Sequence, residues 1–145
     1  MSNANSYSRD FYAWATEQAA LLRAGRLADA DIENIAEEIE SMGRSEKREL
    51  VNRLTILLTH LLKWQVQPAP RGNSWRLTVL EQRGQLAEHL KDNPSLRSVL
   101  PDAFATAYRF ALLGAQKETG LPEEAFPATC PWNSEQVMAE GFLPG

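Results

Sequence analysis

Apolar residues recur at helical spacing along almost the whole of this chain, and no alternating β-branched run competes with them. Helices packed on helices are then the way to bury a core. The strongest pattern is Leu50, Leu54, Leu57, Leu58, Leu61, Leu62 and Trp64, which fill one broad arc. A helix is predicted there, following Ser45 as N-cap and lasting to about Gln67; it is the expected central element. Leu58 and Leu62 widen its arc beyond what one neighbour would cover. At 145 residues the chain suits one domain, residues 1–145.

The other elements follow from their caps and breakers. A first helix is predicted over Ser8–Ala24, with Phe11, Trp14, Ala15, Gln18, Leu21 and Leu22 on one face and Gly25 past its end. About residues 1–7 are expected to be disordered; they are polar and do not form a signal peptide. A second helix starts after Asp29 or Asp31, either of which can cap it. Its stripe is Ile32, Ile35, Ala36, Ile39 and Met42, and Gly43 ends or kinks it. Pro68 to Asn73 is a breaker. Asn73 or Ser74 can cap a helix reaching about Lys91, on which Gly84 marks a close helix crossing. Asn93-Pro94 reads as N-cap and first helical residue of a short turn. A further helix is expected over Ser98–Thr119, stopped by Gly120. The tail, residues 121–145, is rich in proline and holds Phe126, Trp132 and Phe142. It is expected to wrap on the body, with one short helix near Ser134–Glu140. The fold class is thus all-α: four to six helices around a long central one.

Charge patterning offers the candidate site. Glu33, Glu37 and Glu40 lie within about 60° of one another at 100° per residue, beside the apolar stripe. Arg76 and Arg83 lie inside the apolar arc that Trp75, Val79, Leu80, Leu86, Ala87 and Leu90 define. Between Glu49 and Glu81 there is no acidic residue. A buried guanidinium needs a partner, so salt bridges from Arg76 and Arg83 to Glu37 and Glu40 are expected. The same groups could make an anion site with the arginine fork in a cleft. Glu37 and Glu40 could also hold a divalent cation if partners arrive from another helix. His60 sits at the margin of the leucine arc near Trp64, where it packs or serves as a base. His89 reads as exposed and without a partner. Cys130 has no second cysteine and no nearby histidine in sequence.

Composition narrows the function classes. The net charge is −4 with pI near 5.2, which speaks against a nucleic-acid partner. A lone cysteine suits a reducing compartment, and no apolar run approaches a membrane span, so a cytoplasmic protein is expected. There is no Gly-rich phosphate loop, no CxxC and no HExxH. Neither histidine has a glutamate three residues before it, as a ferritin-type di-iron site requires.

Several blocks carry a family resemblance: Asp10-Phe11-Tyr12-Ala13-Trp14, Glu37-Glu38-Ile39-Glu40-Ser41-Met42-Gly43, His60-Leu61-Leu62-Lys63-Trp64-Gln65, Ser74-Trp75-Arg76 and Glu81-Gln82-Arg83. With the Thr129-Cys130-Pro131 tail, they resemble in order the bacterial family called "domain of unknown function twenty-nine". The resemblance implies an all-α bundle and supplies no catalytic residue. No cofactor is expected. The favoured reading is a non-enzymatic module that binds a protein partner or assembles as a homo-oligomer. The alternative is a metal-dependent hydrolase acting on phosphoesters or nucleotides. It would use Glu37 and Glu40 as ligands, His60 as base and Arg76 or Arg83 as phosphate clamp. In either case Trp64 and Trp75 would border the binding residues.

Overall fold

The computed structural model describes residues 3–67 and 72–144, so Pro68 to Arg71 of the expected breaker lie outside the described residues. Its elements are α1 (Asn3–Arg9), α2 (Phe11–Arg23), α3 (Ile32–Val66), α4 (Asn73–Asp92), α5 (Leu100–Thr119) and α6 (Ser134–Met138), with short 3-10 turns between some of them. The all-α expectation holds: among the described residues there are only helices and their connections. None of these helices is long and apolar enough to cross a membrane. The chain divides into two compact units, Met1–Ser45 and Glu46–Gly145.

In the first unit the expected single helix is two. Asp10 takes a non-helical φ of −145° and becomes the N-cap of α2, its carboxylate accepting from the Ala13 amide at 3.1 Å. α1 occupies most of the stretch expected to be disordered. Tyr7, Phe11 and Trp14 then stack as tilted rings with centroids 4.7–5.8 Å apart. Trp14 and Gln18 are the buried residues of α2. Asp31, not Asp29, caps the next helix: its carboxylate takes the Asn34 amide. It also accepts from Trp14 Nε1 at 2.9 Å, while its own amide donates to Gln18 Oε1 at 2.7 Å. This polar junction leaves the expected stripe uncovered. Ile32, Ile39 and Met42 are 51%, 62% and 67% exposed, where a buried face was expected.

Helix α3 runs unbroken through Gly43, Arg44 and Ser45, so the second and third expected helices are one. Glycine inside a helix costs only about 1 kcal/mol relative to alanine, and it keeps its N–H, so the ladder continues. Arg44 reaches back two turns to Glu37 at 3.0 Å across the same exposed face.

The second unit is built on the leucine arc. Leu50, Leu54, Leu57, Leu58, Leu61 and Leu62 are fully buried. They pack with Val79, Leu86 and Leu90 of α4 and with Ala103, Ala107, Tyr108, Ala111 and Ala115 of α5. Leu58 and Leu62 are therefore spent on the chain's own core, and the surplus expected there does not exist. Pro94–Val99 winds as a 3-10 turn, which moves the start of α5 to Leu100 and puts Pro101 in its first turn, where a missing N–H is harmless. Gly120 ends α5 with φ 76°, the left-handed cap expected of it. The tail is packed on this unit: Phe126, Trp132 and Val137 are buried, and Tyr108 donates its hydroxyl to the Pro127 carbonyl at 2.5 Å. Asn133 and Gln136 form a capping box on α6.

The close crossing lies at a different glycine from the one expected. A methyl added at Gly84 meets nothing within 4 Å, whereas one at Gly114 meets Thr59 Oγ1 at 3.3 Å. That hydroxyl is tied to the Thr55 carbonyl at 2.7 Å and cannot swing aside freely. Gly84→Ala is expected to raise stability by about 0.5–1 kcal/mol, the ordinary helix-interior gain. Gly114→Ala is expected to show no such gain. Paired urea unfolding curves would check both.

Candidate functional site

Arg83, Arg76, Glu37 and His60, singled out in the sequence, each have partners of their own. Arg83 is 7% exposed, as its position in the apolar arc demands. Its acceptors are not the expected carboxylates of Glu37 and Glu40. Nε donates to the Val137 carbonyl at 2.8 Å, the guanidinium also donates to the Phe142 carbonyl, and its carbon stands 5.9 Å from the Phe142 ring centroid. Burial pushes its pKa below the usual guanidinium value. Arg83 therefore ties the tail to α4. Arg76 is exposed and donates to Asn73 at 2.9 Å. Glu37 pairs with Arg44, and Glu40 is exposed. His60 is half-buried, with Nδ1 2.9 Å from the Ile56 carbonyl one turn back. Trp75 is half-buried and lies under the Lys63 ammonium, 4.5 Å from ring centroid to Nζ; Lys63 also reaches Glu118 at 2.6 Å. Trp64 is half-buried.

A cleft of about 610 Å³ lies between α5 and the tail, lined by Phe104, Tyr108, Leu112, Cys130 and Trp132 among others. Burial pushes the Cys130 thiol up, and burial with the neighbouring Cys130 pushes the Tyr108 hydroxyl up to about 12. A thiol held in its neutral form is a poor nucleophile, in line with the sequence reading of Cys130.

The most specific chemical arrangement centres on His89, which the sequence reading left without a role. His89, expected to be exposed and without a partner, is 7% exposed. Its Nε2 stands 2.9 Å from the Glu46 carbonyl oxygen. Its Nδ1 faces two carboxylates, Glu46 Oε1 at 3.8 Å and Glu49 Oε2 at 3.7 Å. Arg53 donates to Glu49 Oε2 at 3.0 Å and to Gln85. Glu49, Arg53, Gln85 and His89 line a groove of about 580 Å³, together with Glu81, Gly84, Glu88 and Asp92. The signal was present in the sequence: Gln82, Leu86 and His89 lie at i, i+4 and i+7, so His89 extends the buried face of α4 on its Gln82 side.

The first unit carries the other arrangement. Ile32, Ile35, Ile39 and Met42 follow one another at spacings of 3, 4 and 3, the a/d rhythm of a coiled coil. Ala36 and Gly43 flank the seam on one side and Glu38 on the other. The Tyr7 hydroxyl donates to Glu38, a bond that pushes this phenol up to about 12. Glu33, Glu37 and Glu40 lie beyond Ala36 on the same side of the seam.

Comparison with curated proteins and with solved structures finds no match. A family model does match, and it spans nearly the whole chain, residues 6–143. The chain belongs to the family described as Domain of unknown function DUF29.

Proposed function

We propose that this protein is a non-enzymatic helical module that assembles with a second copy of itself through the first half of α3. The observation that carries this reading is the exposed Ile32, Ile39 and Met42 ridge. Three large apolar side chains on one helical face, each more than half exposed, form the kind of contiguous patch that marks an interaction surface. A second copy fits it best. An apolar seam at a and d positions is the pattern that drives helix–helix association. A two-fold pairing brings the same patch from each copy, so the ridge supplies its own complement. The small Ala36 and Gly43 beside the seam allow close approach of the partner helix. The carboxylates of Glu33, Glu37 and Glu40 stay at the rim, where like charges cost little.

The alternative, a metal-dependent hydrolase built on Glu37, Glu40, His60, Arg76 and Arg83, has less support. Arg83 is engaged with main-chain carbonyls, Arg76 with Asn73 and Glu37 with Arg44.

Size-exclusion chromatography with light scattering tests the proposal. The wild-type chain is expected to run as a dimer. The Ile39→Glu, Met42→Glu variant is expected to run as a monomer with unchanged helicity, because both side chains are exposed. A wild-type monomer across the accessible concentration range would overturn the reading, as would a double variant that keeps the dimer mass.

A further inference from the structure

We infer that Glu46, Glu49 and His89 form a binding site for a divalent transition-metal ion of the zinc type. The inference is independent of self-association. Carbonyl oxygens only accept, so the 2.9 Å contact with the Glu46 carbonyl puts the ring proton of His89 on Nε2. The neutral ring then presents its Nδ1 lone pair, the form in which histidine binds metals. An N–H to carbonyl bond on the opposite nitrogen is also the usual support that orients a metal-binding imidazole.

What Nδ1 faces is the second observation. The two carboxylate oxygens at 3.7 and 3.8 Å are beyond hydrogen-bonding distance, and among the described residues nothing else bonds this nitrogen, in a side chain that is only 7% exposed. A lone pair opposite two carboxylates is repulsive unless a metal ion or a second ring proton sits among them, and the three donors are spaced for the metal. The three donor atoms already lie within 4.8 Å of one another. Ligands around a tetrahedral zinc stand about 3.4 Å apart, given metal–ligand bonds of about 2.0–2.2 Å. Closing that difference takes only small rotations of Glu46 and Glu49, whose side chains are 47% and 45% exposed. These two glutamates are at i and i+3, on one face of α3.

The donor set selects the ion. An imidazole with two carboxylates suits a borderline cation such as Zn²⁺, whereas Ca²⁺ and Mg²⁺ prefer all-oxygen shells of higher coordination number. Three protein ligands leave a fourth position for water or a ligand, and it would open toward the groove that Arg53 and Gln85 line.

Isothermal titration calorimetry of the full chain with ZnCl₂ is the test. One saturable site is expected. Glu46→Gln with Glu49→Gln should weaken it by more than about a hundredfold, beyond the 10–100-fold that loss of a merely supporting residue costs. His89→Gln should do the same. Glu37→Gln with Glu40→Gln, which removes exposed acids elsewhere, should leave it unchanged. Ca²⁺ should bind far more weakly than Zn²⁺. Nitrogen-detected histidine spectra should show His89 Nδ1 shifting on zinc addition while Nε2 stays protonated. If His89→Gln fails to fold by circular dichroism, the half-exposed glutamate pair and the histidine spectra decide. No saturable heat, equal affinity in the glutamate variant, or a His89 ring protonated on both nitrogens and unmoved by zinc would each overturn the assignment.

Discussion

Arg83→Ala is expected to lower the unfolding free energy by about 2–4 kcal/mol. The guanidinium donates to the Val137 and Phe142 carbonyls from α4. Removing it leaves a buried acceptor at Val137 and a part-buried one at Phe142 without this donor, at about 1–3 kcal/mol for the buried one and less for the other. Part of that is offset, because burying the charge was itself unfavourable, as the lowered guanidinium pKa shows. The lost contact with the Phe142 ring adds to the destabilisation. Arg83→Lys should recover only a fraction, since a compact ammonium lacks the fork that reaches both carbonyls. Urea unfolding of both variants measures the size of the effect. Limited proteolysis localises it: cleavage after residue 121 should accelerate in Arg83→Ala before the helical core is attacked. A loss within about 0.5 kcal/mol, as for an ordinary surface change, would mean that Phe126, Trp132 and Val137 hold the tail without help.

That arginine also shows where sequence reasoning reaches its limit. Its place inside an apolar arc made burial and the need for a partner legible. The partner was not, because every residue carries a carbonyl and nothing marks Val137 or Phe142 as the acceptor. The charge gap pointed to glutamates, and main-chain oxygens satisfy the guanidinium instead. The leucine arc was read correctly for a related reason: period and length are local properties, and Leu50 to Leu62 express both. Gly43 and Ser45 were misread as a break because a cap signal is also what a tolerated helix interior looks like at low cost. The Ile32 to Met42 stripe was identified as apolar, yet amphipathicity says which face is apolar and not what covers it. α2 meets the start of α3 at Asp31, which accepts from the Trp14 indole and donates its amide N–H to Gln18, while the stripe beside it stays exposed. His89 was missed because a polar residue beside a leucine face was assigned to solvent, although its spacing from Gln82 and Leu86 placed it at the buried edge.

Asp31 is where the first unit should be most vulnerable, and Asp31→Ala is expected to cost about 2–3 kcal/mol there. Loss of an N-cap accounts for about 1 kcal/mol. The remainder comes from Trp14, whose indole N–H would be left without its acceptor in a residue only 3% exposed, at about 1–3 kcal/mol. The carboxylate is held below its usual pKa by hydrogen bonds from Asn34 and Trp14. A depressed folded-state pKa stabilises the protein above the ordinary carboxylate value of 3.8, and that contribution is lost as pH falls through the lower folded value. The first unit should therefore weaken on acidification through this window. Asp31→Asn separates the two effects. Asparagine caps helices as well as aspartate does and its oxygen can still accept from Trp14, but it does not titrate. The asparagine variant should keep most of the stability at neutral pH and lose less than wild type when acidified. Trp14 can be followed in tryptophan-indole NMR spectra, where its N–H resonance should shift in Asp31→Ala and stay near its wild-type position in Asp31→Asn. Identical acid profiles for wild type and Asp31→Asn would assign the acid sensitivity to other carboxylates, and an unshifted indole resonance in Asp31→Ala would remove Asp31 as the junction of α2 and α3.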